Sequence, residues 1–278
     1  MQILKDAASA RQFVKAQKHV GKTIGLVPTM GALHQGHMSL MTRCAGENDL
    51  TIASIFVNPI QFNNPADLAK YPRTLERDVE LLERVGCQAV FCPSAEEMYK
   101  MQPKLSLDFG LLDKTLEGKF RPGHFSGVGL IVAKLFNIIQ PDAAYFGLKD
   151  YQQFLVVSQL VRDLSFPVKL IGCDIVREAD GLAMSSRNQR LSADERKRAA
   201  LLYQVLQRSK THLEQKTLSV IKSEAETLLS QSKIRLEYLE LANRENLEIQ
   251  TTFSSSTPSI LLIAAYVGEV RLIDNLMV

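Results

Sequence analysis

Short apolar runs alternate with amphipathic stretches along roughly the first 170 residues of the chain. The apolar runs have the length of buried strands, and the stretches between them carry apolar residues at the spacing of one helix face. This alternation predicts an α/β domain with a largely parallel sheet. The predicted strands are 23–27, 50–57, 89–92, 143–146 and 168–173, and the clearest helices between them are 75–85 and 127–139.

The pattern changes beyond Asp174. A capping-box pattern at 192–195 predicts a helix that runs to about Arg208, and apolar positions in 218–229 predict a second helix. Alternating residues in 234–238 and an apolar run at 260–267 predict two strands. We therefore predict two domains, 1–174 with the parallel sheet and 175–278 with a smaller α+β fold.

The composition is that of an ordinary globular protein, with 46% hydrophobic residues and a net charge of +3 over 278 residues. A small charge without a basic tract argues against nucleic acid as the main partner. The longest apolar stretch is too short to span a bilayer, and the first residues lack the apolar core of a signal peptide. We expect no membrane partner and a cytoplasmic location, which the four cysteines without a C-x-x-C pair also fit.

Two histidines flank a glycine soon after the first predicted strand. His34 and His37 lie at the end of the run 28–37, and the apolar spacing after Gly36 predicts a helix that starts at His37. Pro28 has no amide donor and is expected to end the strand. A strand, a glycine-containing turn and a helix N-terminus direct free backbone N–H groups and a positive dipole at a ligand. The segment therefore predicts a site for the phosphates of a nucleotide.

A zinc site is the alternative for these two histidines. Structural zinc needs further cysteine or histidine ligands, and catalytic zinc usually needs a third side chain. The other histidines, His19, His124 and His212, are isolated in the sequence. The phosphate interpretation is therefore favoured over the zinc interpretation.

Six segments together resemble the pantothenate synthetase family of the nucleotidyltransferase superfamily, whose members carry a His-x-Gly-His motif. They occur in the family's order across nearly the whole chain, at residues 28–37, 56–62, 71–74, 121–125, 145–153 and 184–188. One position departs from the family pattern, because Leu148 stands where glutamate or glutamine is common. Two other functions are considered: a nucleotidyltransferase that keeps the nucleotide on its product, and a noncatalytic nucleotide-binding protein.

The resemblance implies a Rossmann-like domain at 1–174 that binds nucleotide and pantoate, and a C-terminal lid domain at 175–278. It implies the ATP-dependent condensation of (R)-pantoate with β-alanine through pantoyl adenylate, which releases AMP and diphosphate. It also implies a homodimer. Mg²⁺ is expected to arrive with ATP, because this ion retains waters and prefers phosphate oxygens. The segment 184–187 lies beyond the domain boundary, so we expect both domains to contribute to catalysis.

The resemblance assigns roles residue by residue. His37, His34 and Lys149 would be catalytic, although whether His37 transfers a proton or only stabilises charge is open. Pantoate would be bound by Gln61 and Gln153, with help from Asn58. The residues that would bind ATP are Met30, Gly31, Ala32, Leu33, His34, Gln35, Gly36, His37, Gly147, Leu148, Lys149, Asp150, Val176, Met184, Ser185, Ser186 and Arg187.

Three further residues have an open role. Asp78, four residues after Thr74 on a predicted helix, is a candidate outer-sphere partner of Mg²⁺. The alternative is a surface carboxylate that pairs with nearby arginines. Arg121 and His124 match a family segment, and the sequence leaves open whether they bind substrate or shape a loop.

Overall fold

A computed structural model describes residues 1–278, which form two compact units. The first unit comprises Met1–Leu148 and Gln153–Asp174, and the second comprises Lys149–Gln152 and Ile175–Val278. The segment Lys149–Gln152 thus groups with the second unit, whereas the sequence-based division at residue 174 places it in the first domain. None of the helices has the length and apolar character needed to cross a membrane.

A six-stranded, all-parallel sheet lies at the centre of the first unit, with the strand order β1-β4-β3-β2-β5-β6. The predicted fold class is confirmed. The strands are β1 (Gln2–Leu4), β2 (Ile24–Thr29), β3 (Leu50–Ile55), β4 (Ala89–Phe91), β5 (Ala143–Gly147) and β6 (Lys169–Cys173). The helices are α1 (Ala7–His19), α2 (Gln35–Glu47), α3 (Pro65–Ala69), α4 (Leu75–Arg84), α5 (Ala95–Met98), α6 (Leu116–Phe120), α7 (His124–Ile139) and α8 (Tyr151–Asp163).

In β2 to β6, alternate residues contribute to two separate cores, one on each face of the sheet. On β2, Leu26 packs in one core together with residues of α1, α7 and α8, and Val27 packs in the other with residues of α2 and α4. Strands buried on both faces are typical of parallel sheets. This arrangement explains why the strands appear in the sequence as continuous apolar runs.

The expectation that Pro28 ends β2 is wrong, because the strand continues to Thr29. The carbonyl of Thr29 accepts a hydrogen bond from the amide of Phe56, just beyond β3, so the backbone groups of Pro28 face the opposite side. On that side β5 pairs only with Gly25 and Leu26. No carbonyl of β5 therefore lacks a hydrogen bond because Pro28 has no N–H.

The second unit is built on an antiparallel sheet with the order β7-β8-β9. Its helices pack against this sheet in a single core. The predicted helix at 192–208 is divided at Ala200, and the last strand was not predicted from the sequence. The elements are α9 (Ala193–Ala199), α10 (Leu201–His212), α11 (Leu218–Gln231), β7 (Ile234–Asn243), β8 (Ser259–Val267) and β9 (Val270–Met277).

A buried ion pair joins β9 to Arg177, near the start of the segment Ile175–Val278. The guanidinium of Arg177 donates to both carboxylate oxygens of Asp274, at 2.6 and 2.9 Å, and lies 3.8 Å from the ring centroid of Tyr203. Asp274 is 4% exposed. Removing the cation would leave a buried carboxylate without its partner, which is a costly arrangement.

We expect Arg177→Met to lower the free energy of unfolding by about 3–5 kcal/mol, because methionine keeps part of the side-chain volume but cannot pair with Asp274. Equilibrium urea unfolding measures the change. Arg196→Met is the matched control, since Arg196 forms a similar pair with Asp180 at the surface. The control should change stability by less than about 1 kcal/mol. Equal losses for the two variants would contradict the role given to the buried pair.

Candidate active site

The segment that follows β2, residues 30–37 (the histidine loop), is anchored from both of its sides. The hydroxyl of Thr29 accepts from the amide of Gly31 at 3.1 Å. The carboxylate of Asp78, on the first turn of α4, accepts from the amides of Ala32 and Leu33 at 2.9 and 2.8 Å. Gly31 and Ala32 both have positive φ, at +80° and +50°, and these bonds hold that unusual backbone conformation in place.

His34 and His37 form a capping box at the start of α2. The Nδ1 atom of His34 accepts from the amide of Gly36 at 3.1 Å, and Nδ1 of His37 accepts from the amide of His34 at 3.3 Å. The helix consequently begins at Gln35, two residues earlier than predicted. The prediction was late because histidine is not among the usual capping residues.

The capping bonds determine which ring nitrogen carries the proton. A nitrogen that accepts from a backbone N–H must present its lone pair, so Nδ1 of His34 and of His37 is unprotonated. The proton of each ring therefore lies on Nε2, which is a hydrogen-bond donor. The two ring centroids are 4.1 Å apart, so the two imidazoles lie side by side.

Most amides of this loop have partners within the protein. The sequence led us to expect free backbone donors here, and that expectation is wrong for five residues. The backbone amides of these five residues donate to the side chains of Thr29, Asp78, His37 or His34. The five residues are Gly31, Ala32, Leu33, His34 and Gly36. The Nε2–H of each imidazole is a donor in addition to these amides.

Asn58 and Gln61 lie after β3, at the same edge of the sheet. Asn58 Nδ2 donates to Gln61 Oε1 at 3.0 Å and to the carbonyl of Gly127 at 3.1 Å. Gln61 Nε2 lies 3.1 Å from the sulfur of Met30, in the histidine loop. The structure therefore brings together the predicted pantoate residue Gln61 and the predicted ATP loop.

The N-terminal half of α7 fixes the turn that carries Gln61. His124 is buried, and its Nδ1 lies 2.9 Å from the carbonyl oxygen of Gln61. A carbonyl can only accept, so His124 donates here. At Gly127, an added Cβ would lie 2.8 Å from the carbonyl oxygen of Ile60 and 2.9 Å from the Gln61 backbone, which only glycine avoids. Of the two roles left open for His124, this geometry favours the shaping of the loop.

The segment after β5 divides between the two units. Leu148 lies against β6, where a Cβ added to Gly172 would come within 2.7 Å of the leucine side chain. Asn275 Nδ2 donates a hydrogen bond of 2.9 Å to the carbonyl oxygen of Lys149. The ammonium of Lys149 lies 3.7 Å from a carboxylate oxygen of Asp150. The structure places Gly147 at the end of β5 and Gln153, half-buried, in the first turn of α8.

The remaining predicted ATP residues belong to the second unit. Val176 and Met184 are joined by a backbone hydrogen bond of 3.0 Å across a small hairpin, in which Arg177 pairs with Ala183. Ser185 then caps a short 3-10 helix, Ser186–Arg190, by accepting from the amide of Arg187. Val176, Met184, Ser185 and Arg187 are half-buried, and Ser186 is buried.

No group of three or more histidine, cysteine, aspartate or glutamate side chains is placed to hold a metal ion. Asp78 is 1% exposed, which excludes the alternative that it is a surface carboxylate. Both of its oxygens accept from loop amides, and one also accepts from the hydroxyl of Thr74 at 3.2 Å. This geometry makes Asp78 an anchor of the histidine loop, and its role toward Mg²⁺ remains a prediction.

Sequence reasoning missed two residues that hold predicted ligand-binding residues in place, one in each unit. Tyr99 donates a hydrogen bond of 2.8 Å to Asn58 Oδ1, and Asn275 holds Lys149. Tyr99 follows β4, which neighbours β3 in the sheet, and ligand-binding residues gather beyond the carboxyl ends of such strands. That rule was the available signal for Tyr99. No comparable signal pointed to Asn275.

The fold and the site together define a class: α/β proteins with a Rossmann-like parallel sheet and paired histidines at its carboxyl edge. A family model described as pantoate-beta-alanine ligase matches residues 2–277. A pantothenate synthetase of Cytophaga hutchinsonii is 47% identical over 271 residues, with 96% of each chain covered. One of Bacteroides thetaiotaomicron is 46% identical over 274 residues, which is 98% of this chain and 96% of the relative. The chain belongs to the pantoate-beta-alanine ligase family.

Solved structures agree with this assignment. The crystal structure of pantothenate synthetase from Thermus thermophilus matches with a TM-score of 0.91 and 41% identity, covering 99% of both chains. A pantoate-beta-alanine ligase from Francisella tularensis, complexed with β,γ-ATP and β-alanine, matches with a TM-score of 0.85 and 34% identity. That match covers 100% of this chain and 97% of the other. The family resemblance drawn from the sequence motifs is thus confirmed.

We expect Asp78→Asn to raise the KM for ATP roughly tenfold. The carboxylate now accepts hydrogen bonds from two backbone N–H groups of the loop, one at each oxygen, whereas the asparagine side chain has only one acceptor oxygen. Steady-state kinetics at several Mg²⁺ concentrations measures the effect. A loop anchor predicts a defect that added Mg²⁺ does not relieve, whereas a magnesium partner predicts relief. Glu76→Gln, an exposed substitution on the same helix, is the control and should leave both constants unchanged.

Proposed function

We propose that this chain condenses (R)-pantoate with β-alanine in an ATP-dependent reaction that yields pantothenate, AMP and diphosphate. The observation that carries the proposal is the histidine-capped loop beside Gln61, in a chain that belongs to this ligase family. The loop offers donors suited to phosphate oxygens, and Gln61 offers an amide suited to a small hydroxy acid. The Francisella tularensis relative, solved with β,γ-ATP and β-alanine, supports two of the substrates.

The reaction proceeds in two displacements. A pantoate carboxylate oxygen attacks the α-phosphorus of ATP, and diphosphate leaves with the electrons of the broken P–O bond. The amine of β-alanine then attacks the acyl carbon of pantoyl adenylate, and AMP leaves as the proton of the amine is lost. Neither step needs a protein nucleophile, so catalysis rests on alignment and on stabilising charge that develops on phosphate.

His34 and His37 act as hydrogen-bond donors to the phosphates through Nε2. In each ring, Nδ1 accepts a hydrogen bond from a backbone amide, so a second ring proton at Nδ1 would break that hydrogen bond. This geometry favours charge stabilisation over proton transfer by His37. Lys149, with Ser185, Ser186 and Arg187, provides further positive charge and donors for the triphosphate.

Mg²⁺ enters with ATP. The protein has no cluster of acidic side chains and histidines that would form a cage for it, and this ion is commonly bound through phosphate oxygens and waters. From the family resemblance we also propose that the chain is a cytoplasmic homodimer. Light scattering coupled to size-exclusion chromatography tests the dimer.

One assay tests the proposed function against its two alternatives. Purified protein is incubated with ATP, Mg²⁺, pantoate and β-alanine, and the products are identified by mass spectrometry. We expect pantothenate and AMP in equal amounts, dependent on all three substrates. A stable nucleotidyl product would favour the other nucleotidyltransferases, and binding of ATP without turnover would favour a nucleotide sensor.

We expect His37→Ala to slow formation of pantoyl adenylate by roughly 10²-fold or more, since it removes a donor that stabilises developing charge. Single-turnover measurements follow this step directly. His37→Glu is the matched control for helix capping, because a glutamate at this position accepts from the capping residue's amide but has no N–H to donate. Glutamate should restore stability without restoring the rate. Recovery of the wild-type rate by glutamate would assign only a capping role to His37.

We expect Leu148→Glu to change kcat/KM for ATP by less than roughly tenfold, whereas Lys149→Ala should have a considerably larger effect. The reason is that the leucine side chain lies against Gly172 of β6, while Lys149 carries the charge suited to phosphate. Parallel steady-state kinetics of the two variants measures the difference. Effects of equal size would mean that residue 148 faces the nucleotide.

A further inference from the structure

Gln61 has a defined amide orientation because a chain of hydrogen bonds leads to it from Tyr99. The carbonyl of Gly127 can only accept, so the group of Asn58 that faces it at 3.1 Å must be the NH₂. The same NH₂ donates to Gln61 Oε1 at 3.0 Å. Gln61 therefore turns its own NH₂ away from Asn58, toward the sulfur of Met30.

Tyr99 completes this chain at its other end. With the NH₂ of Asn58 committed to two acceptors, Asn58 Oδ1 faces Tyr99 and accepts from its hydroxyl at 2.8 Å. Burial raises the pKa of the Tyr99 hydroxyl, which keeps the hydroxyl protonated and therefore a donor. The Tyr99 ring is held separately, by Phe56 at 6.1 Å between centroids and by the ammonium of Lys134 at 5.5 Å. The ring contacts and the hydroxyl contact can therefore be separated experimentally.

Asn58 is committed to the protein rather than to a ligand. It is 1% exposed, and both hydrogens of its amide are used within the protein. Gln61, in contrast, directs its NH₂ at a thioether sulfur, which is a weak acceptor. A carboxylate or hydroxyl oxygen of a ligand would be a stronger partner for that NH₂.

We propose that Tyr99 is a positioning residue for recognition of the acid substrate, acting through Asn58 to hold Gln61 with its NH₂ presented to pantoate. This inference rests on the proposed function. It gives Asn58 an indirect role in place of direct substrate contact. Without the Tyr99 hydroxyl, Asn58 Oδ1 would be buried without a donor, and the orientation of Gln61 would be held less tightly.

Tyr99→Phe removes the hydroxyl and keeps the ring. We expect the KM for pantoate to rise about tenfold, with kcat and the KM for ATP within twofold of wild type, because Gln61 contributes equally to the ground and transition states. Tyr145→Phe is the matched control. Tyr145 also bonds an asparagine through its hydroxyl, accepting from Asn48 at 2.7 Å, but that pair lies near the C-terminal end of α2. The control should leave all three constants within twofold.

A double-mutant comparison separates positioning from general stability. In an Asn58→Ala background the chain of hydrogen bonds is already broken, so adding Tyr99→Phe should change the KM for pantoate by less than twofold. Gln61→Glu provides a second test that does not depend on Tyr99→Phe folding. It keeps the acceptor for Asn58 but replaces the NH₂ with a carboxylate oxygen, and we expect a rise in the pantoate KM of roughly a hundredfold.

The outcomes are distinct. An unchanged pantoate KM in Tyr99→Phe, an equal rise in the KM for ATP, or full additivity with Asn58→Ala would overturn the positioning role. So would a Gln61→Glu enzyme with wild-type pantoate KM. Wild-type protein that forms no pantothenate would overturn the proposed function, and this inference with it. If the wild-type protein forms pantothenate, a negative result for the variants overturns only the positioning role of Tyr99.

Discussion

The histidine loop depends on one constraint: its backbone amides are used to hold the loop itself. The buried carboxylate of Asp78 takes two of them and Thr29 takes a third, where the chain passes through two residues of positive φ. An anion that approaches this loop therefore does not find the row of free amides typical of glycine-rich phosphate loops. We propose that side chains take over that role, and that the Nε2–H groups of the two imidazoles are the donors.

The imidazoles can serve in this way because their other nitrogens cap the helix. In an ordinary capping box, serine or threonine and glutamate satisfy the first amides and point no further donor outward. Histidine satisfies an amide through Nδ1 and retains an N–H on the opposite side of the ring. The same two residues thus fix the start of α2 and supply directed donors. This dual use couples the local fold of the loop to its proposed chemistry.

Apolar patterning predicted most of the first unit, because its strands are buried on both faces and its helices present one buried face. The polar contacts of the site were not predictable in the same way. Asp78 lies 45 residues from Leu33 in the chain, and no local pattern relates a carboxylate to amides at that distance. Strand β9 was missed because Asp274 and Asn275 interrupt its apolar pattern, although both are buried. Helix α1 was missed because only Ala10 and Val14 on it are buried.

Those two residues of β9 show that the second unit follows the same principle as the first. Asp274 binds Arg177 and so holds the hairpin that leads to Met184, while Asn275 binds the carbonyl of Lys149. Both segments proposed to bind ATP in this unit are thus attached to adjacent buried polar residues on one strand. A buried polar side chain is costly unless its hydrogen bonds are satisfied, so each such contact specifies a single position for its partner. Apolar packing builds the two sheets, and these few satisfied polar contacts determine where the proposed ligand-binding residues lie on them.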